Sequence, residues 1–314
     1  MALMDTATVA RFEAGRTRLA SLAYRLLGSA ADAEDVVQDA FLRWQAADRD
    51  RIEVPEAWLT KVVTNLALDR LRSARVRRER AVGAWLPEPL IEGDPMLGPA
   101  ETAEQRESVS IAMLMLLERL PPVERAVYVL REAFAYSHNE IAEILDISVS
   151  ASQQHTLRAR RHVAAGRNAG RVDREAARRI VEAFVDAAAS GRTERLVALL
   201  TDDATAVSDG AGVLGKPWIE TIPARIAATF RAAFKPTPAK RRRAGGTPSI
   251  HAGIVNGTPA MIAVIDERVA GIVVFDPRGD KVAALHGIAH QASLARATRQ
   301  WARIEHEEPL IERW

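Results

Sequence analysis

Gln153, Gln154, His155, Arg158, Arg160 and Arg161, with Ser152 ahead of them, sit at helical spacing in a stretch that can read nucleic acid. Amide side chains bond base edges, guanidinium groups bond bases or phosphates, and a short helix fits the major groove. A second short helix is predicted upstream at 139–145, with Ile141, Ile144 and Leu145 on one face. Between them Asp146 opens a tight break, a position that favours a residue tolerant of left-handed backbone. No acidic residue occurs between Asp146 and Asp173, while Arg158, Arg160, Arg161, Arg167 and Arg171 fall in that interval. A stripe of one sign is the footprint of a polyanion, whereas a solvated face mixes signs. The competing reading is a helical hairpin inside an ordinary bundle, because such a pattern alone is only a hypothesis.

A second constellation lies upstream. Pro55 can open a helix that carries Trp58, Leu59, Val62, Val63, Leu66, Leu68 and Leu71 and then runs into six arginines within residues 69–80. Asn65 can bond a base edge, and Arg70, Arg72 and Arg75 can hold a phosphate backbone. Trp58 is read as core. The helix before it, capped by Ser29 or Asp32, has an acidic face of Asp32, Glu34, Asp35 and Asp39 opposite Val36, Val37, Phe41 and Trp44.

These residues need elements to position them, and composition bounds those elements. With 314 residues, 48% of them hydrophobic, the chain can build two or three cored domains. The formal net charge is only +2, so basicity is local and clusters must assign function. The absence of cysteine excludes disulfides, thiolate metal sites and thiol redox sensing. No stretch approaches the roughly 20 apolar residues of a membrane span. Nor does the N-terminus have the apolar core of a signal peptide. A cytoplasmic protein without membrane partner, metal or cofactor is expected.

Along the chain the expected domains are 1–78 and 107–168, both helical, and 171–314. A linker at 79–106 is broken by Gly83, Pro87, Pro89, Gly93, Pro95, Gly98 and Pro99. It also carries Trp85, Leu86, Pro87, Leu90 and Ile91. Exposing such a run costs roughly 25 cal/mol per Å² of apolar surface, so docking on a neighbouring domain is expected. The last third begins with helices at 175–189 and 193–200 and a β-like stretch at 204–208. The Gly-rich 209–215 follows, then a helical 216–234 and a basic 240–246. Strand-like runs come next at 249–255, 260–265, 269–275 and 282–288, punctuated by turns at Asn256-Gly257 and 277–280. Helices first and antiparallel strands later describe an α+β domain. Residues 302–314 are read either as a docked helix or as a loose tail.

Three segments in order, DAEDVVQDAFLRW at 32–44, PEAWLTKVVTNLALDRLRSAR at 55–75 and the helix-turn-helix within 118–163, resemble the extracytoplasmic-function sigma factors of bacterial RNA polymerase. The remainder, from about 172, resembles the cone-shaped SnoaL-like α+β domains, which one sigma subgroup carries as an extension. The fold implied is two all-α domains, the second with a helix-turn-helix, followed by that cone. The resemblance implies core-polymerase contact by Asp32, Glu34, Asp35, Gln38 and Asp39. It implies promoter contact by Asn65, Arg70, Arg72 and Arg75 in the first domain, and by Ser152, Gln153, Gln154, His155, Arg158 and Arg161 in the second. It also implies interdomain regulation through the linker motif Trp85-Leu86-Pro87 and through Asp209, Gly210 and Gly212, where the subgroup's glycine-rich motif is only partly kept. Core RNA polymerase and promoter DNA are the expected partners; an anti-sigma protein or a pocket ligand would be additional ones. Regulation is favoured over catalysis for the extension, although Asp209, Asp266, His251, His286 and His290 are available polar groups. Two rival readings stay open: a SnoaL-like enzyme or ligand-sensing domain fused to DNA-binding helices, and a transcription factor that binds DNA without polymerase.

Overall fold

The computed structural model describes residues 6–78, 85–98, 102, 105, 107–164, 173–212 and 215–314. The chain divides into two compact units: residues 1–81, 95–109 and 113–167, and residues 82–94, 110–112 and 168–314.

In the first unit, α1 (Thr6–Leu27) ends at Gly28, whose φ of 66° stops the helix while its N–H bonds the Tyr24 carbonyl at 2.7 Å. Ser29 caps α2 (Ala30–Ala46) by accepting from the Asp32 N–H at 3.1 Å. α3 spans Pro55–Arg78 and packs on both. Trp44 of α2 is buried and lies 5.7 Å from the Trp58 ring of α3, so Trp58 belongs to the packing, as read. Further on come α4 (Ile111–Glu118), α5 (Pro122–Tyr128), a π-helical turn at Val129–Ala133, α6 (His138–Leu145) and α7 (Val149–Ala164).

The two helical assemblies expected as separate domains lie in one unit, and side chains tie them together. Buried Arg125 of α5 donates to the Leu26 carbonyl of α1 at 2.8 Å and to Glu118 at 2.7 Å. Arg25 of α1 is buried too and donates to Ser108 at 2.8 Å and to Ser21. Desolvation lowers its pKa to about 10. Arg18 of α1 donates to the Tyr136 hydroxyl at 2.6 Å, and that hydroxyl is 3.1 Å from Thr60 of α3.

The second unit is α+β. α8 (Arg174–Ala189), capped by Asp173, and α9 (Thr193–Ala198) precede a six-stranded sheet of β1 (Leu200–Ser208), β2 (Trp218–Glu220), β3 (Ser249–Val255), β4 (Thr258–Ile265), β5 (Arg268–Arg278) and β6 (Lys281–Ile288). Its order is β2-β1-β6-β5-β4-β3, antiparallel throughout except for the β1–β6 pair. The core lies between the sheet and the helices, with Phe184 of α8 stacked edge-on against Phe275 of β5 at 5.0 Å. α12 (Gln291–Trp301) follows β6 and packs on β5.

Two expectations need correcting, at residues 216–234 and 302–314. The stretch 216–234 is not one helix: Trp218–Glu220 pairs with β1 as an edge strand, and α10 (Pro223–Phe234) starts only at Pro223. Sheet pairing outweighs the helical pattern there. The basic stretch after it is α11 (Pro238–Ala244), capped by the Thr237 hydroxyl and closed by Gly245 at φ 89°. Residues 302–314 are neither helix nor loose tail. Leu310 donates its N–H to the Ile250 carbonyl at 2.7 Å, and Trp314 is buried with its indole N–H on the Phe234 carbonyl at 3.1 Å.

Candidate nucleic-acid interface

Three signals build the helix-turn-helix. Pro122 begins α5 where its missing N–H costs nothing. Ser137 and Glu140 form a reciprocal capping box at the start of α6, with bonds of 3.3 and 2.7 Å. The Ser137 hydrogen bonds hold the Glu140 carboxyl below its usual pKa. Asp146 closes α6 in the left-handed conformation, φ 53° and ψ 47°, which turns the chain into α7.

On α7, Gln153, Gln154, Leu157, Arg158 and Arg161 are exposed and recur at the spacing of a single helix face. Leu157 is 52% exposed and was not anticipated. An apolar side chain among polar readers suits contact with a thymine methyl. Its signal in the sequence is weak, because a leucine in a helix is ordinarily core. Ser152 leaves the interface: it is fully buried, and its hydroxyl is 2.9 Å from His138 Nδ1, which pins α7 to α6. Helical periodicity alone could not show which side of α7 faces inward.

The arginines of α7 differ in their engagement. Arg158 Nε donates to the buried Glu124 at 2.6 Å, and its Nη2 lies 2.8 Å from His155 Nδ1. Arg160 donates twice to Glu132, at 3.0 and 2.8 Å. Arg161 has no carboxylate partner among the described residues. A phosphate bound at this face would find Arg158 already engaged by Glu124.

α3 carries the other candidate residues. Asn65 is half-buried, and Arg72 is exposed beside Asp69 at 3.0 Å. The side chain of Arg75 lies outside the described residues. Arg70 is drawn onto α2, where it meets Asp32 at 3.1 Å, Asp35 at 3.3 Å and Asp39 at 3.5 Å. Burial lowers its pKa, and the Asp35, Asp32 and Asp39 contacts more than reverse this, so it is raised overall. The arginine expected on DNA and the carboxylates expected on polymerase thus form one cluster. Glu34 and Gln38 remain exposed on α2. Leu42, 54% exposed, follows Asp35, Gln38 and Asp39 on one helix face and adds an apolar centre to an acidic rim, another feature not anticipated.

Lys61 of α3 bonds Asp146 at 2.7 Å and the Glu143 carbonyl at 2.9 Å, so the turn between α6 and α7 is held on the helix that carries Asn65.

The linker motif is seated within the second unit. Leu86, Pro87, Leu90 and Ile91 are buried and Trp85 is half-buried. The Leu90 N–H donates to Asn256 Oδ1 at 2.8 Å, the Asn256 N–H returns a bond to the Leu90 carbonyl at 2.9 Å, and Ile91 bridges Val255 on the edge of β3. Gln300 of α12 brackets Ile91 from both sides, at 3.2 and 2.9 Å. Asp94, 4% exposed, takes two bonds from Arg296 of α12, at 2.6 and 2.9 Å. The second motif acts within its own unit: Asp209 accepts from the N–H groups of Ala289 and His290 at 2.9 and 2.8 Å and from Ala211 at 3.1 Å. Gly210 and Gly212 have positive φ, and a Cβ on Gly210 would strike the Lys216–Pro217 backbone at 1.9 Å. Asp209 thus meets the start of α12, while Ile91 and Asp94, downstream of Trp85-Leu86-Pro87, meet its last turn and its middle.

No group of acidic, histidine or cysteine side chains fit to hold a metal occurs among the described residues. No helix among them is long and apolar enough to cross a membrane.

Comparison with known proteins agrees with this geometry. The Sigma-70 region 2 family matches residues 12–77, and Sigma-70 region 4 matches residues 110–163. The Mycobacterium tuberculosis "ECF RNA polymerase sigma factor SigJ" is 42% identical over 205 residues, 65% of this chain and 65% of that protein, a little under two thirds of its length. "Probable ECF RNA polymerase sigma factor SigI" of the same organism is 31% identical over 291 residues, 91% of this chain and 94% of that protein. The crystal structure of SigJ aligns over 92% of this chain and 98% of that one, with a TM-score of 0.67 and 31% identity. Helical region 2 and region 4 assemblies followed by a sheet-containing α+β domain, with a relative matched along almost its whole length, define the family: the chain belongs to the ECF RNA polymerase sigma factors, which direct polymerase to promoters.

Proposed function

We propose that the exposed face of α7 reads the upstream promoter element through Gln153, Gln154, Leu157, Arg158 and Arg161, with His155 steering Arg158. Asn65, Arg72 and Arg75 on α3 then hold the element that melts. Asp32, Glu34, Asp35, Gln38 and Asp39, with Leu42, engage core polymerase, and that contact frees Arg70 for DNA. The chain works in the cytoplasm with the polymerase, without membrane or metal. The single observation that carries the reading is the α7 face itself, where exposed amides and guanidiniums, groups able to bond base edges and phosphates, stand side by side.

The Lys61–Asp146 contact favours a free protein whose promoter-reading helices restrain one another. Polymerase must separate them, so the free chain binds DNA weakly and the holoenzyme strongly. The C-terminal domain controls the chain in cis by holding the linker that joins regions 2 and 4: Leu90, Ile91 and Asp94 are fixed to it by backbone pairing and a buried ion pair. Regulation rather than turnover is its role.

The test is promoter binding by wild type and Lys61→Ala, each with and without core polymerase. Tighter DNA binding by the free variant, with the holoenzymes equal, supports mutual restraint. Equal binding by the two free proteins contradicts it.

A further inference from the structure

The C-terminal unit contains a cavity of about 160 Å³ between the sheet and α10. Its walls include Trp218, Phe230, Ile250, Met261, Leu285 and Trp314. Among the described residues, no ionisable side chain lines it. The hydroxyls at its wall belong to Ser208 and Thr229, and Ser208 already accepts from the Gly210 N–H at 3.2 Å. The indole N–H of Trp314 is occupied by the Phe234 carbonyl. His251 and His286, the groups best suited to proton transfer, are not part of the lining.

An apolar pocket of about this size offers water few polar partners and admits a molecule of benzene size. A charged ligand would lose its hydration without finding a counter-charge. We propose that this cavity is a binding site for a small uncharged molecule, about one substituted ring in size, and that the bound molecule is sensed and not transformed. The Asp209 loop forms the rim: Ala211 and Gly212 line the cavity, as does Ala289, and Asp209 clips the loop to the backbone at Ala289 and His290. Asp209 is a positioning residue that fixes the entrance to α12. The middle and the last turn of α12 carry Arg296 and Gln300, which hold the linker. Ligand occupancy and linker docking therefore bear on one helix. The proposal does not depend on the promoter reading, because its test needs neither polymerase nor DNA.

The test titrates the full chain with bromobenzene, a neutral ring whose heavy atom quenches indole fluorescence; Trp218 and Trp314 are the reporters in the wall. Saturable quenching with a raised melting temperature is expected. Benzoate, the same ring with a charge, should change neither. Ala263→Leu on β4 and Ala233→Leu on α10 fill the space from opposite sides and should each weaken binding by about tenfold or more. Circular dichroism identifies a variant that fails to fold, and the other then decides. Linear, non-saturating quenching in wild type overturns the proposal. So does binding of benzoate as strong as that of bromobenzene, or undiminished binding in a folded leucine variant.

Discussion

At the scale of single residues, burial and partners sort candidates that look alike in sequence. Ser152 and Gln153 are neighbours, yet one is inside the helix-turn-helix and the other is outside. Arg158 and Arg161 are both basic, yet only Arg158 neutralises the buried Glu124. Arg161→Gln should therefore weaken holoenzyme binding to promoter DNA without loss of stability and lower its salt dependence by about one counterion. Arg158→Gln should also lower the melting temperature, because Glu124 loses its strongest cation. Salt titrations and thermal melts on both variants check this pair. His286 gives a pH prediction. It is buried on β6, its ring nitrogens find no hydrogen-bond partner among the described residues, and desolvation pushes its pKa down to about 4. Below its ordinary value near 6.5 the unfolded chain takes up a proton that the folded chain refuses. Stability is therefore complete above about pH 6.5, falls as pH drops towards 4, and levels off below. The loss is about 3 kcal/mol at most. His286→Leu should flatten that slope in melts between pH 4 and 7; an unchanged slope would refute the assignment.

At the scale of elements, the local signals in the sequence were sufficient where the structure is local. Gly28, the Ser29 cap, Asp146 in its left-handed turn and the Asn256-Gly257 hairpin all lie where the residue types require them. Elements that depend on distant partners were not legible. Trp218–Glu220 is a strand only because β1 offers an edge, and Arg70 turns onto α2 only because that helix presents three carboxylates across the helix pair. The linker lies between these cases. Its buried Leu86, Leu90 and Ile91 announced a docking partner, but the backbone bridge to Val255 and the Asp94–Arg296 pair could not be read from spacing. Removing one partner of a buried pair typically costs about 3–5 kcal/mol. Asp94→Ala should accordingly loosen the linker, seen as faster proteolysis and hydrogen exchange at residues 85–94 while the sheet stays protected. Unchanged protection would show that backbone pairing alone holds it.

At the scale of the whole molecule, the order of parts was legible and their grouping was not. Three motifs in sequence announced regions 2 and 4, and the order of helices and strands after them announced an extension. That regions 2 and 4 share a compact unit depends on single contacts such as Arg125 with the Leu26 carbonyl and Lys61 with Asp146, which have no signature in the chain. The central claim is that this sigma factor selects promoters through the α7 face. Run-off transcription with purified core polymerase on a promoter from the chain's own genome tests it most directly, with wild type compared with Gln154→Ala/Arg161→Gln. A defined transcript is expected from wild type and its loss from the double variant, with core binding retained by both. Equal transcription from both proteins would contradict the role of α7, and failure of wild type to bind core polymerase would contradict the account as a whole.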